Sequence, residues 1–187
     1  RYMPDIEPEY MNNAFDNYNA VRHLIGENET QDPLHYGRSL IDLVAESGGQ
    51  EIATHTFSHY YCLESGQTLE AFGADIDASI AIARAAGHEI QSIVFPRNQY
   101  SDNHIKVCAA RGIFAFRGQP PGFAYRPMVN RDVGRVVRAT RFLDSVLPIL
   151  PREDPMHPRL KSDAYDVTAS RFLRPWREDW PSFSALC

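Results

Sequence analysis

The sequence predicts an α/β protein built on parallel strands covered by helices. Three observations carry that reading. Apolar residues at helical spacing alternate with short β-branched runs, the connections between them are short, and glycine or proline closes most of the segments. In such folds, whether the sheet is open or closed into a barrel, chemistry collects at the carboxyl ends of the strands.

Residues 1–36 are rich in Asn, Pro, Tyr and acidic groups and have no sustained period, so they read as an irregular segment with one short helix around residues 11–18. "RSLIDLVAES" then places Leu40, Ile41, Val44 and Ala45 on one helical face, closed by Gly48 and Gly49. "EIATHT" reads as a strand. Thr68 is set to cap a second helix with Glu70 in its first turn and a stripe of Leu69, Phe72, Ile76, Ile80 and Ala83, which Gly87 ends. "EIQSIVF" is the next strand, stopped by Pro96. Ser101 opens a helix carrying Ile105, Val107 and Cys108 up to Gly112, and "IFAF" is the third strand. After the loop "RGQPPG", a helix from about Asp132 to Pro148 turns Val133, Val136, Val137, Thr140 and Leu143 inward. Residues 150–187, with many prolines and both tryptophans, read as an irregular tail.

The chain has 187 residues, enough for one domain with a substantial core and too few for two of ordinary size. Its net charge of −5 argues against nucleic acid as a partner, and no apolar run approaches the roughly 20 residues that span a bilayer. Three cysteines, Cys62, Cys108 and Cys187, do not make a disulfide framework, which points to a reducing, cytoplasmic compartment. The first residue is Arg1, so a processed or truncated chain is expected.

Polar clusters stand at all three strand ends. His55 closes "EIATHT" and His59 follows four residues on, flanked by hydroxyl residues able to orient imidazoles. The glutamate of a His-Glu-x-x-His protease is missing, since Thr56, Phe57 and Ser58 lie between. Two neutral imidazoles suit a divalent metal, zinc first, with a third ligand and an open position for water. Cys62 is one candidate third ligand, but a carboxylate suits hydrolysis better, and Cys62 also reads as a small core residue. At the second strand end "FPRNQY" gathers Pro96, Arg97, Asn98, Gln99 and Tyr100. Arg97 there could hold a catalytic carboxylate ionised, grip a substrate or form a structural ion pair. Arg117 ends the third strand, and Phe123 and Tyr125 follow it, suited to a sugar face or to packing.

"EIATHTFSHYYC", "SIVFPRNQYS" and "GIFAFRG", in that order and spacing, resemble the polysaccharide deacetylase family, carbohydrate esterase family 4. They are most similar to a bacterial branch whose third motif reads Phe-Pro-Arg-Asn-Gln. The resemblance covers residues 36–147, and "SRFLRPW" in the tail also resembles this branch. It implies part of a distorted (β/α) barrel that removes acetyl groups from an acetylated glycan or polysaccharide. It also implies His55 and His59 as ligands of a divalent metal, most of all zinc, with Arg97 supporting a catalytic aspartate. Pro96, Asn98, Tyr100 and Arg117 would then line the substrate side.

Two family motifs are absent from the pattern. No strand ending in Thr-Phe-Asp-Asp, the source of the base and third ligand, precedes His55; Asp16 in "NAFDNY" has no apolar strand leading into it. The late Leu-His motif of the general acid is missing too, since His157 lies in the unlike stretch "DPMHPR". The expectation is therefore a single deacetylase-like domain, incomplete at both ends, with base, acid and third ligand outside the sequence. The alternatives are a non-catalytic carbohydrate-binding relative, a truncated inactive fragment of the same fold, or an unrelated α/β domain whose histidines are structural.

Overall fold

A computed structural model of the chain describes residues 2–147, 150 and 157–168. Five α-helices are described: α1 (Asn17–His23), α2 (Arg38–Glu46), α3 (Leu69–Ala85), α4 (Asp102–Ala109) and α5 (Arg135–Val146). The strands are β1 (Ser92–Ile93), β2 (Ala115–Phe116), β3 (Arg159–Lys161) and β4 (Ala164–Asp166). They form a sheet in the order β1-β2-β4-β3, with β1, β2 and β4 parallel and β3 antiparallel to β4. Beyond β1, Thr54 adds one parallel bridge to Ile93. The protein is thus mixed α/β, and no helix among the described residues is long and apolar enough to cross a membrane.

Local chemistry explains the best-formed elements. Thr68 takes extended backbone and its hydroxyl accepts the N–H of Ala71 at 3.1 Å, satisfying a donor that the first turn of α3 leaves free. Phe72 and Ile76, one turn apart, are fully buried, and α3 packs against α4. At the start of α4 the usual Glu or Gln of a capping box is replaced by His104, whose Nδ1 accepts the N–H of Ser101 at 3.3 Å. Between helices and sheet lies a core of Phe72, Ile76, Ile93, Phe95, Ile105 and Phe116, with Cys62 and Cys108 buried beside them. Cys62 is a core residue, its thiol pushed well up by burial.

Several expectations need correction. The stretch 11–18 holds a short 3-10 helix, Asn13–Phe15, and the α-helix begins only at its end, at Asn17–His23, where Asp16 caps it by accepting the N–H groups of Tyr18 and Asn19. The "EIATHT" strand shrinks to the single bridge at Thr54, since no described strand pairs with its outer side. In α5, Val136 and Leu143 are 71% and 51% exposed, while Asp144 is buried and accepts the hydroxyl of Tyr125 at 2.7 Å. A 3.6-residue period identifies a stripe, but a neighbouring tyrosine decided which stripe turns inward. The tail is not wholly irregular: β3 and β4 form a hairpin through Ser162 and Asp163, both at positive φ as a primed two-residue turn requires. The "SRFLRPW" stretch lies outside the described residues.

The predicted face of α2 is also open, with Leu40 at 65%, Ile41 at 40% and Val44 at 42% exposure. Leu40→Lys is therefore expected to change the urea midpoint by less than the equivalent of about 0.5 kcal/mol. A loss of several kcal/mol would show that this face is covered in the folded chain.

Candidate functional site

The bridge between Thr54 and Ile93 fixes the site. Thr54 donates its N–H to Ser92 O at 3.0 Å and accepts the N–H of Val94 at 2.9 Å, which brings residue 55 beside the carboxyl end of β1. There His55 Nδ1 lies 2.6 Å from the carbonyl oxygen of Val94. A carbonyl only accepts, so Nδ1 carries the proton and Nε2 of the neutral ring keeps its lone pair. That is the arrangement in which an imidazole is oriented for a metal.

His59 faces the same region. Its ring centroid is 5.0 Å from that of His55, with the planes at 68°. Two imidazoles sharing one tetrahedral zinc, at about 2 Å per Zn–N bond, place their centroids roughly 5 Å apart, so the pair fits a common ion. Burial lowers the pKa of His59, and the adjacent His55 and the Arg97 guanidinium lower it further, against a hydrogen bond to its own backbone. The ring thus resists protonation, which favours the form that binds metal.

The backbone between the two histidines is unusual and tightly held. Thr56 and His59 have φ of 66° and 58°, in the left-handed region that residues with a Cβ rarely adopt. Thr54 Oγ1 accepts the N–H of Thr56 at 3.0 Å, and Thr56 Oγ1 accepts that of Tyr60 at 2.8 Å. From α1, Asn17 Nδ2 donates to Ser58 O at 2.9 Å. From α3, the buried carboxylate of Asp75 accepts from Phe57 and Ser58.

Arg97 follows β1 in a tight turn, with Arg97 and Asn98 at φ of 50° and 56°. Its guanidinium carbon lies 5.5 Å from the centroid of Tyr61, whose ring is 5.2 Å from that of His59. Arg97 therefore stands on the histidine side of the sheet edge. Its Nη1 donates to Asn130 Oδ1 at 3.1 Å, an amide rather than the expected carboxylate. Glu64 steadies this corner, because its Oε1 accepts both the N–H of Asn130 and Nε2 of Gln99, each at 2.8 Å. Arg117, at the end of β2, donates from Nη2 to Asn98 Oδ1 at 3.0 Å.

His55, His59, Arg97, Asn98 and Arg117 thus gather at one edge of the sheet. Pro96 and Tyr100 do not line it: Pro96 is buried, and Tyr100, 5% exposed, packs in the core with its ring 4.9 Å from Phe95 and 5.4 Å from Phe116. Tyr125 is buried on Asp144, while Phe123 is 53% exposed. Asp16 spends its carboxylate on capping α1, as above. Among the described residues no group of three or more His, Cys, Asp and Glu side chains stands close enough to hold a metal ion.

Comparison of the chain with protein-family models, with curated proteins and with solved structures finds no match in any of the three.

Sequence reasoning missed Asp75, Tyr61, Glu64 and Asn130. Asp75 carried a readable signal, a charge set between Phe72 and Ile76 on the buried face of an apolar helix. Glu64 lies in a turn and Asn130 opens a short 3-10 helix, Asn130–Asp132, and nothing in their neighbours marks them.

Proposed function

We propose that the chain belongs to a metal-dependent hydrolase that removes acetyl groups from a glycan, on a fold related to the distorted (β/α) barrel. The observation that supports this most is the histidine pair: two rings at metal-sharing distance at a strand end, one of them held in its metal-ready tautomer by Val94. When bound there, a divalent ion such as zinc supplies a Lewis acid for the acetyl carbonyl and an acidified water. His55 and His59 would hold it. Arg97, with a positive charge beside His59, is placed to keep a nearby carboxylate base ionised, and Asn98 and Arg117 offer donors to sugar hydroxyls along the same edge.

The described residues supply neither base nor third ligand. The outer side of the Thr54 segment, unpaired by any described strand, is where a further strand carrying a carboxylate would reach His55. The test is acetate release from acetylated chitooligosaccharides with zinc or cobalt added, on the 187-residue chain and on the chain extended upstream in its reading frame. Losing a base or acid costs about 10²–10⁴ in rate, so the 187-residue chain is expected to show no appreciable turnover. The extended chain should turn over and lose activity on His55→Ala. Robust turnover by the 187-residue chain would place the base within it, with Asp16 the first suspect. Glycan binding without acetate release by either protein would favour a non-catalytic carbohydrate-binding relative.

A further inference from the structure

We propose that Asp75 is the positioning residue of the histidine pair: its buried carboxylate fixes the backbone between His55 and His59 so that both rings converge on one ion. This rests on the ligand reading of the two histidines given above.

Asp75 is fully buried on α3 and touches neither imidazole through a hydrogen bond; it acts on the chain that joins them. Its Oδ1 accepts the N–H of Phe57 at 2.8 Å. Its Oδ2 accepts the N–H of Ser58 at 3.1 Å, the hydroxyl of Ser58 at 2.6 Å and the hydroxyl of Tyr18 at 2.5 Å. Three of these four bonds end on Phe57 and Ser58, two of the three residues between His55 and His59. Both N–H groups donate whatever the protonation state, so the ionised carboxylate, an acceptor at every lone pair, is the form that matches them. Thr56 and His59, on either side of this anchored pair, hold left-handed φ values that persist only where the surroundings over-determine them. Release of Phe57 and Ser58 would let His59 return to an ordinary backbone conformation, and its ring would leave that of His55.

Burial raises the pKa of Asp75 despite the hydrogen bonds from Ser58, Tyr18 and Phe57 that lower it. Tyr18 ties the same carboxylate to α1, whose Asn17 holds Ser58 O, so the N-terminal helix belongs to the same support.

The experiment is a zinc titration of the 187-residue chain followed through the imidazole ring protons in NMR, on wild type, Asp75→Asn, Ser58→Ala and Ile76→Val. Asp75→Asn turns an acceptor oxygen into a donor facing donors. It is expected to weaken the shared zinc response by about tenfold or more, the usual scale for outer-shell changes at metal sites. Ser58→Ala, which removes one donor to Asp75, should weaken it several-fold; it carries the test alone if Asp75→Asn does not fold. Ile76→Val trims the core next to Asp75 but leaves its hydrogen bonds to Phe57 and Ser58 in place, and should bind as wild type does, which separates positioning from general destabilisation. Wild type with no shared response would overturn the ligand reading itself. A shared response in wild type, unchanged within twofold in the folded Asp75→Asn and Ser58→Ala variants, would overturn only the role of Asp75.

Discussion

Acidification from pH 7 to pH 4 is expected to remove roughly 3 kcal/mol of stability through one residue, His104. The side chain is 2% exposed, with its ring 4.9 Å from that of Phe72. Nδ1 accepts the N–H of Ser101, and Nε2 lies 3.2 Å from Gln67 Oε1, to which it donates. With the Ser101 hydroxyl also donating to Nδ1 at 2.7 Å, the neutral ring satisfies all three contacts, whereas a proton on Nδ1 would face the N–H it now accepts and force the hydroxyl to turn. Burial pushes its pKa down from the ordinary 6.5 to about 4. The unfolded chain therefore binds a proton that the folded chain refuses. The contribution is fully present above pH 6.5 and is lost as the pH falls toward 4. At about 1.4 kcal/mol per tenfold change in proton affinity, the move is worth roughly 3 kcal/mol. Asp75 acts in the opposite sense. Its raised pKa contributes stability at low pH that is lost as the pH rises through the folded value, while the lowered pKa of His59 adds to the His104 effect, so the whole-chain curve is not the His104 component alone. Urea midpoints of wild type and His104→Gln across pH 4–7 isolate that component. The expected result is a wild-type curve that falls more steeply toward pH 4. Parallel curves would mean that His104 is accessible to protons in the folded chain.

The helices with apolar stripes and capping residues were the most legible part of the fold. Thr68 and Ser101 begin α3 and α4 where the pattern placed them, because a cap is a local matter between a hydroxyl and the N–H groups of one turn. The strands were legible as locations more than as lengths, since a strand is completed by its neighbour. "EIATHT" has β1 on one side and no described partner on the other. The hairpin at Arg159–Asp166 escaped notice because Ser-Asp is a less telling turn pair than one with glycine, and the prolines nearby suggested loop. In the site, the residues at strand ends could be read because topology alone brings them together. Tyr100 could not be placed, since an aromatic beside polar donors fits a core as well as a sugar surface. Asn130, the partner of Arg97, is 33 residues away in sequence, at the start of a short 3-10 helix whose position follows from the tertiary fold.

The second large effect concerns the histidines themselves and tests the central claim, that His55 and His59 share one divalent ion. Two neutral imidazoles bind zinc weakly beside a three-ligand site, yet a pre-positioned pair binds far more tightly than either ring alone, because the second bond forms intramolecularly. The decisive measurement is the same NMR titration with zinc, made on wild type and on His55→Ala. Both rings of the wild type are expected to respond with one midpoint at one ion per chain. In His55→Ala the midpoint of His59 should weaken by at least about tenfold. Separate midpoints for the two rings, or a His59 response that His55→Ala leaves unchanged, would contradict the account.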